Sequence, residues 1–328
     1  MLNIHSNFNF NGAYYCGWHL NCIRLLMKHT GKYHILSIDG GGLKGLIAIK
    51  ILQIIENITG KRITDIFELI SGTSTGGLIA SGMTVKNIDG KPLHDLTYIE
   101  SMYLEAIESL MQNRYGLGKE PEKLSDLILR TVGHQKLSDT YLPVFVPTYD
   151  LSSKRIVVFK TRSAILNESK NITLFDVCKA TSAIPQIFPS HKIRYNKQEL
   201  NCVDAGWHIK NPALAALAEF WKHRSYYSSL DIGEENVVLV SISTGNFYKG
   251  NEDWTTNIDD IISSQRVATK YIGDQKLNID LSKINFLRVD LNFGNQGYSF
   301  KTLTEISNKI DTLSKDKKFA EVVSEILI

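Results

Sequence analysis

The stretch ELISGTSTGGLIASG, residues 68–82, decides the fold. Its opening residues are strand-like, whereas GGLIASG at its end is typical of a helix built from small residues. Between them, Gly72-Thr73-Ser74-Thr75-Gly76 satisfies the pattern G-x-S-x-G. In a tight strand–turn–helix of this kind, the serine backbone adopts an unfavourable conformation that very small neighbours accommodate, and its hydroxyl is exposed at the sheet edge. The stretch therefore predicts Ser74 as a nucleophile, and a glycine-rich loop with a helix cap is the alternative.

Apolar strand-like runs alternate with helix-like segments on both sides of this stretch. The strand-like runs are HILSID (34–39), ITDIFELIS (63–71), YLPVFVPTYD (141–150), KRIVVFKT (154–161), NVVLVSISTG (236–245) and INFLRVDL (284–291). Helical periodicity predicts helices at 43–58, 76–83, 96–114, 173–185, 212–221 and 256–275 and after residue 301. Such alternation indicates an α/β protein with a mostly parallel sheet covered by helices on both faces.

Composition and charge exclude several classes of protein. The chain has 328 residues and a net charge of +3, from 37 basic and 34 acidic residues, which is too balanced to indicate a nucleic-acid partner. No run approaches the roughly 20 apolar residues that a membrane-spanning helix needs. The four cysteines form no C-x-x-C pair and no histidine pair stands near them at zinc spacing, so we expect free thiols and no metal site.

The organisation of the chain predicts three parts. Residues 1–32 are rich in asparagine, aromatic residues and histidine without a clear period, and we interpret them as an N-terminal extension. Residues 33–246 form the predicted core, and residues 247–328 form an α/β continuation packed on it. The first thirty residues do not show the pattern of a secretory signal. We therefore expect a cytoplasmic or membrane-peripheral location, and secretion by another route is open.

A second glycine-rich segment, SIDGGGLKG (37–45), also follows a strand and begins a helix. It satisfies the dinucleotide-binding pattern G-x-G-x-x-G from Gly40 to Gly45, so a nucleotide site is one interpretation. Asp39 counts against this interpretation, because a pyrophosphate would meet its charge. The other interpretation is an oxyanion hole, in which backbone N–H groups of consecutive glycines converge on one point. Lys44 adds positive potential there or is a surface residue of the helix.

A serine nucleophile needs a proton acceptor, and histidine is the usual one. His208, His134 and His191 are candidates, but none lies in a distinctive motif. Asp204 lies in LNCVDAGWHIKNP (201–212), where an apolar run ends in Asp-Ala-Gly before a helix. A partly desolvated carboxylate that is hydrogen-bonded to the hydroxyl can accept its proton. The alternative for Asp204 is a turn aspartate that caps its own backbone.

Taken together and in this order, the three segments resemble the patatin-like phospholipase family. The family's D-G-G-G-x-[KR]-G, G-x-S-x-G and D-G-[GA] elements are matched by residues 39–45, 72–76 and 204–206. ATSAIPQIFPS (180–190) and KNPALAALAE (210–219) are also similar to family segments. The residues that this resemblance assigns to motifs, beyond the serine and the aspartate, are Asp39, Gly40, Gly41, Gly42, Gly45, Gly72, Gly76 and Gly206.

The resemblance implies a three-layer α/β/α fold and a Ser–Asp dyad without histidine. Ser74 is then the nucleophile, Asp204 the proton acceptor, and Gly40, Gly41 and Gly42 the oxyanion hole. It implies a lipid acyl hydrolase that needs no cofactor or metal and acts on a phospholipid or another acyl-ester lipid at a membrane surface. Ala205 departs from the family's most frequent glycine and could narrow the turn.

Two other functions stay open beside the hydrolase: a nucleotide-binding protein that uses GGGLKG, and a lipid-binding protein with an inactive site. Segment 84–140 is the expected lid or acyl-pocket wall. Within it, a helical stripe that includes Met102, Tyr103, Leu104, Leu110 and Met111 either lines a pocket or fills core, and we interpret it as core.

Overall fold

A nine-stranded sheet forms the centre of the protein in a computed structural model that describes residues 31–112, 122–245, 254–255, 278–293 and 301–328. The strands follow the order β5-β6-β3-β2-β1-β7-β9-β8, and β4 pairs with the other edge of β3. The strands are β1 (Tyr33–Ile38), β2 (Leu69–Gly72), β3 (Val144–Asp150), β4 (Arg155–Lys160), β5 (His191–Tyr195), β6 (Gln198–Val203), β7 (Val237–Ile242), β8 (Trp254–Thr255) and β9 (Asn285–Val289).

The middle of the sheet is parallel and its edges are antiparallel. Strand β1 pairs in parallel with β2 and β7, β2 with β3, and β7 with β9. Strands β4 and β6 pair with β3 in antiparallel orientation, as does β5 with β6 and β8 with β9. The predicted α/β fold with a mostly parallel central sheet is confirmed for these five central strands.

Helices cover both faces of the sheet. They are α1 (Gly45–Thr59), α2 (Ile63–Ile66), α3 (Thr75–Met83), α4 (Leu96–Gln112), α5 (Glu122–Val132), α6 (Thr161–Leu166), α7 (Leu174–Ser182), α8 (Ala213–Lys222), α9 (Arg224–Tyr227), α10 (Lys301–Ser314) and α11 (Lys317–Leu327). Alternate residues of β1 serve the two faces: Leu36 and Ile38 pack with α1, whereas Ile35 packs with α8. Each fully buried leucine or isoleucine contributes about 1.5–3 kcal/mol to folding, so both layers stabilise the sheet.

The C-terminal helices α10 and α11 dock on α1 through the apolar stripe visible in the sequence. Ile306, Leu313 and Val323 are buried in the same hydrophobic cluster as α1. The predicted helix at 256–275 and the first thirty residues lie outside the described part of the chain. Within the described part, no helix combines the length and the apolar character required to span a bilayer.

Strands β2 and β6 meet end to end, and this arrangement positions the site. Both pair with the same edge of β3, because β4 occupies the whole of the other edge. Strand β2 runs parallel to β3 and pairs with its start, at Ile70 and Val144. Strand β6 runs antiparallel and pairs with its end, at Val203 and Tyr149. The carboxyl ends of β2 and β6 therefore point towards each other. The sequence analysis placed Asp204 directly after an apolar run, and that run is β6, which pairs with β3 in antiparallel orientation.

Candidate active site

Ser74 lies at a tight turn between β2 and α3. Its backbone has φ 55° and ψ −121°, a conformation that costs free energy for a residue with a side chain. The glycines on either side permit the turn, because a Cβ atom on Gly72 would collide with the Gly76 carbonyl and one on Gly76 with the Ile38 carbonyl. The geometry is therefore that of a strand–turn–helix elbow, and Ser74 is buried at its tip.

Hydrogen bonds from three other segments hold this elbow in place. The Ser74 N–H donates to Oγ1 of Thr181 at 2.9 Å, and the Thr181 hydroxyl donates to the Pro147 carbonyl at 2.7 Å. The Thr73 hydroxyl donates to the carbonyl of Ile209 at 2.8 Å. Thr181 lies in the segment ATSAIP, but nothing in the sequence alone indicates that it supports the serine.

Asp204 follows β6 and faces Ser74. The Ser74 hydroxyl is hydrogen-bonded to the Asp204 carboxylate, and the Gly206 N–H donates to its Oδ1 at 2.7 Å. Asp204 is only 6% exposed. Burial raises the pKa of this carboxyl above its ordinary value of 3.8, and the hydrogen bonds from Ser74 and Gly206 partly offset the rise. The structure thus brings the two predicted residues together, and a raised pKa makes the carboxylate a stronger base.

Ala205 leaves this arrangement undisturbed. Its methyl group is fully buried in the hydrophobic cluster that contains Phe145, Ile209 and Leu214, on the face of the sheet covered by α8. The side chain therefore packs into the core, and the expected narrowing of the turn has no structural basis. Gly206 is the residue of this turn where a side chain would crowd the carboxylate, since a Cβ atom there would lie 3.0 Å from Oδ1 of Asp204.

The glycine loop after β1 lies beside Ser74. A Cβ atom on Gly40 would lie 3.4 Å from the Cβ of Ser74, and one on Gly41 would collide with the Thr244 side chain. The Gly40 N–H donates to the Lys210 carbonyl at 2.9 Å. Its donor is therefore used within the fold, which differs from the prediction that Gly40 contributes to an oxyanion hole. Gly45, the first residue of α1, packs against the side chains of Thr75 and Tyr103.

Gly41 and Gly42 remain as candidate donors. Within the described residues, their N–H groups have no hydrogen-bond acceptor, and both glycines line the cavity next to Ser74. Gly42 has φ 58° and begins a short 3₁₀ turn, Gly42–Lys44, so its N–H precedes the first intrahelical bond. The two glycines are therefore free to stabilise an anion.

Asp39 does not face the site. Its two carboxylate oxygens accept hydrogen bonds from Arg288 on β9, at 2.9 Å and 2.7 Å. Arg288 also donates to Oγ of Ser241 at 2.7 Å. Arg288 therefore neutralises the charge of Asp39, and the argument that this charge would repel a pyrophosphate was wrong. Arg288 was not identified from the sequence, because no local signal connects it with Asp39.

An apolar cavity of about 540 Å³ opens beside Ser74. Its walls come mainly from α4, α5 and the turn after α7, and the residues contributed there include Ile99, Met102, Tyr103, Leu127, Ile128, Val132, Ile184, Ile187 and Phe188. Met102 and Tyr103 thus line the cavity, which corrects their interpretation as core. Leu104 is exposed, and the side chains of Leu110 and Met111 lie outside the described part. Such walls suit an alkyl chain far better than the phosphates of a nucleotide.

The candidate histidines have other surroundings. His208 is exposed and stacks on Tyr149, with ring centroids 4.2 Å apart. His191 bonds to Asp176 at 2.9 Å, and His134 is exposed. Among the described residues, no histidine contributes to the interactions of Asp204. The described residues also contain no group of three or more histidine, cysteine or acidic side chains able to hold a metal.

These features define a class of protein: an α/β fold in which a serine at a strand–helix elbow faces a buried carboxylate beside an apolar cavity. The family model for Patatin-like phospholipase matches residues 36–217, more than half of the chain. The chain therefore belongs to the patatin-like phospholipase family.

Relatives of this chain occur in plants. Patatin-like protein 2 of Arabidopsis thaliana is 33% identical over 65% of this chain and 60% of the relative. Patatin-like protein 4 of the same plant is 28% identical over 90% of this chain and 80% of the relative. Among solved structures, VipD from Legionella pneumophila is similar with a TM-score of 0.44 and 12% identity, over 91% of this chain and 68% of that chain. The chain spans less than two thirds of Patatin-like protein 2.

Proposed function

We propose that this protein is a lipid acyl hydrolase that cleaves fatty-acyl esters through Ser74 and Asp204. The observation that carries the proposal is the hydrogen bond between the Ser74 hydroxyl and a buried carboxylate at the side of an apolar cavity. Membership of the patatin-like phospholipase family supports the same chemistry. The substrate class is a phospholipid or another lipid ester whose alkyl chain enters the cavity.

The first half of the reaction acylates Ser74. Its Oγ attacks the carbonyl carbon while its proton passes to Asp204, and the carbonyl oxygen becomes an oxyanion. The N–H groups of Gly41 and Gly42 stabilise this oxyanion, and loss of one such donor typically costs ~3 kcal/mol of barrier. The tetrahedral intermediate then collapses. The bond to the leaving alcohol breaks, and Asp204 returns the proton to that oxygen.

The second half of the reaction regenerates the enzyme. Asp204 takes a proton from water as the water attacks the acyl carbon, and the fatty acid leaves as Ser74 recovers its proton. Burial favours this role, because it raises the pKa of Asp204 and so its tendency to accept a proton. The elbow fixes the backbone of Ser74 before the substrate binds, so that the residue already faces Asp204.

Site-directed variants test the dyad. Ser74→Ala abolishes hydrolysis of p-nitrophenyl acyl esters and labelling by a fluorophosphonate probe. Asp204→Asn reduces turnover by about 10²–10⁴-fold, the usual contribution of a general base. His208→Ala is the matched control, because His208 lies close in sequence to Asp204 but stacks on Tyr149, and it keeps substantial activity.

Three results separate the alternatives. Retained turnover in Ser74→Ala rejects Ser74 as the nucleophile. A His208→Ala variant as inactive as Ser74→Ala makes histidine the base and rejects the dyad. Wild-type protein that binds lipid but is neither labelled nor active is a lipid-binding protein with an inactive site. Fatty-acid release from mixed phospholipids, followed by mass spectrometry, then identifies the headgroup and the acyl position that are preferred.

A further inference from the structure

Three hydrogen-bonded segments lie together beside the cavity. They are the glycine loop 40–44, the turn 183–188 and the turn 204–210, and the first two contribute residues to the cavity wall. The Gly40 N–H donates to the Lys210 carbonyl and the Asp204 N–H to the Ala183 carbonyl, both at 2.9 Å. Hydrogen bonds therefore connect the turn that carries Asp204 to the loops on both sides. We call these three segments the rim.

The rim exposes two large apolar side chains. Trp207, three residues after Asp204, is 83% exposed, and Ile187, which also lines the cavity, is 43% exposed. Tryptophan is one of the most buried residue types on average, so a nearly fully exposed side chain is unusual. Neither side chain contributes to the arrangement around Ser74. The rim thus presents apolar surface to solvent, and Ile187 connects this surface with the cavity wall.

The lysine and aspartate side chains of the rim are Lys44, Lys210 and the buried Asp204. Lys210 is exposed and Lys44 lines the cavity. Burial, and then the charge of Lys210, lowers the pKa of Lys44, which places the two ammonium groups near each other. Asp39 is fully engaged by Arg288, and Arg288 also lies 3.4 Å from Asp290. Asp290 and Asp39 act on Lys44 in the opposite sense, so the exposed positive charge of the rim is that of Lys210.

We propose that the rim docks on the surface of a phospholipid bilayer, with Trp207 and Ile187 inserted at headgroup depth and Lys210 facing lipid phosphates. Exposed apolar side chains, adjacent positive charge and continuity with the alkyl-chain cavity all fit this one occupant. Tryptophan suits this position because its ring is apolar and its N–H is polar. Lysine side chains are attracted by anionic lipids. The proposal rests on the proposed function, since it places the cavity mouth against the layer that holds the substrate.

Vesicle sedimentation measures the docking directly. The protein carries Ser74→Ala so that lipid is not consumed, and the vesicles are phosphatidylcholine with or without phosphatidylglycerol. Adding Trp207→Ala weakens binding about tenfold or more, which corresponds to removing one inserted large apolar side chain. Trp207→Phe keeps most of the binding. Lys210→Gln weakens binding only to vesicles that contain phosphatidylglycerol.

Ile88 provides the matched control. It is fully exposed in the turn after α3, and α3 leads away from Ser74, so Ile88 lies beyond the far end of that helix. Ile88→Ala also removes a fully exposed apolar side chain and leaves vesicle binding unchanged. In the catalytically intact protein, Trp207→Ala lowers hydrolysis of vesicle lipid by the same factor as binding, whereas hydrolysis of a dissolved short-chain ester is unaffected.

The outcomes distinguish this proposal from the proposed function. If Trp207→Ala binds vesicles as strongly as the protein that keeps Trp207, the docking proposal is wrong, even if ester hydrolysis through Ser74 is intact. Absence of any turnover rejects the hydrolase, while vesicle binding that depends on Trp207 still supports docking. If light scattering shows a dimer that Trp207→Ala dissociates, and vesicles do not bind, the rim contacts a second copy of the chain and the proposal is wrong.

Discussion

Asp39 and Asp204 occupy equivalent places in the sequence but have opposite surroundings. Each follows a strand, precedes a small residue and is almost completely buried, with 2% and 6% exposure. The Asp39 carboxylate receives two hydrogen bonds from Arg288, whereas the hydrogen bonds to the Asp204 carboxylate within the described residues come only from Ser74 and Gly206. One carboxylate is neutralised by a cation and supports the fold. The other carries its charge without a cation and can accept a proton.

The difference shows that burial alone does not make a carboxylate reactive. A buried ion pair with good geometry fixes both charges, so Asp39 cannot act as a base. A buried carboxylate without a cation has a raised pKa and so a stronger tendency to take a proton. The residue that decides between the two outcomes is Arg288, which lies 249 positions after Asp39 in the chain.

The largest expected effect is on stability, and it is measured by neutralising Asp39 and Asp204 in separate variants. Asp39→Asn removes the carboxylate that accepts from both NH groups of Arg288 and leaves only Asp290, 3.4 Å away, so we expect it to lower the free energy of unfolding by about 3 kcal/mol. Asp204→Asn leaves no uncompensated charge, so it does not lower the stability although it removes activity. Urea denaturation of both variants, followed by circular dichroism, measures the contrast.

A double-mutant cycle provides the control for this contrast. Arg288→Met alone also destabilises the protein, because it leaves the Asp39 carboxylate unpaired. Combining Asp39→Asn with Arg288→Met recovers much of the loss, since no buried charge is then left without a partner. If the stability losses of the two single variants simply add in the double variant, the Asp39–Arg288 pair makes no specific contribution to stability. The proposed contrast between a paired Asp39 and an unpaired Asp204 carboxylate would then fail.

The elbow could be predicted from the sequence because its determinants are local. G-x-S-x-G places two glycines within two residues of Ser74, and both are needed where the backbone of the turn approaches itself closely. The glycine loop is equally local. Alternating strands and helices were sufficient for the α/β fold and for most element positions. Asp204 needed the resemblance to a family, because its local pattern is also that of an ordinary turn aspartate.

Features that depend on contacts between distant segments could not be predicted. The use of the Gly40 N–H by Lys210, the support of Ser74 by Thr181 and the neutralisation of Asp39 by Arg288 each join residues more than 100 positions apart. The short strands β5 and β6 also lacked a clear signal. Helical periodicity identified the apolar face of α4, but it cannot show whether the space facing Met102 is filled by side chains or is an empty cavity.

The next effect in size concerns the backbone at Ser74. A residue with a side chain in this conformation costs ~1–3 kcal/mol, whereas glycine adopts it freely but adds about 0.5–1 kcal/mol of unfolded-state entropy. We therefore expect Ser74→Gly to be about 1 kcal/mol more stable than Ser74→Ala. Both variants remove the hydroxyl, so both are inactive and both leave Asp204 without that hydrogen bond.

Thermal unfolding of the two Ser74 variants measures this difference without a contribution from catalysis. Because the serine-to-Asp204 hydrogen bond is absent from both, the comparison isolates the backbone. A higher melting temperature for Ser74→Gly means that the active-site turn stores strain that the rest of the fold compensates. Equal melting temperatures would mean that the strain at Ser74 is no larger than the entropic cost of glycine, about 0.5–1 kcal/mol, and the preorganisation of Ser74 would then come mainly from its hydrogen bond to Thr181.

The smallest effect is the pH dependence of stability at Asp204. Burial raises the pKa of this carboxyl in the folded protein above the ordinary value of 3.8. The folded state therefore binds the proton more tightly than the unfolded state, and the stability from this group is present below the ordinary pKa and lost as pH rises through the folded pKa. We expect Asp204→Asn to be more stable than wild type at neutral pH and to lose that advantage as pH falls.

Asp150 supplies a control of opposite sign. Burial on its own would raise the pKa of this carboxyl, but hydrogen bonds from Ser153 and Asn201 lower it below the ordinary value. Wild type is therefore more stable than Asp150→Asn at neutral pH, and this advantage is lost on acidification. Urea denaturation from neutral pH to about pH 4 measures both slopes. If the stability difference between wild type and variant changed with pH in the same direction for both residues, the folded protein would stabilise ionised Asp204 as well as it stabilises ionised Asp150. Asp204 would then not be the stronger base.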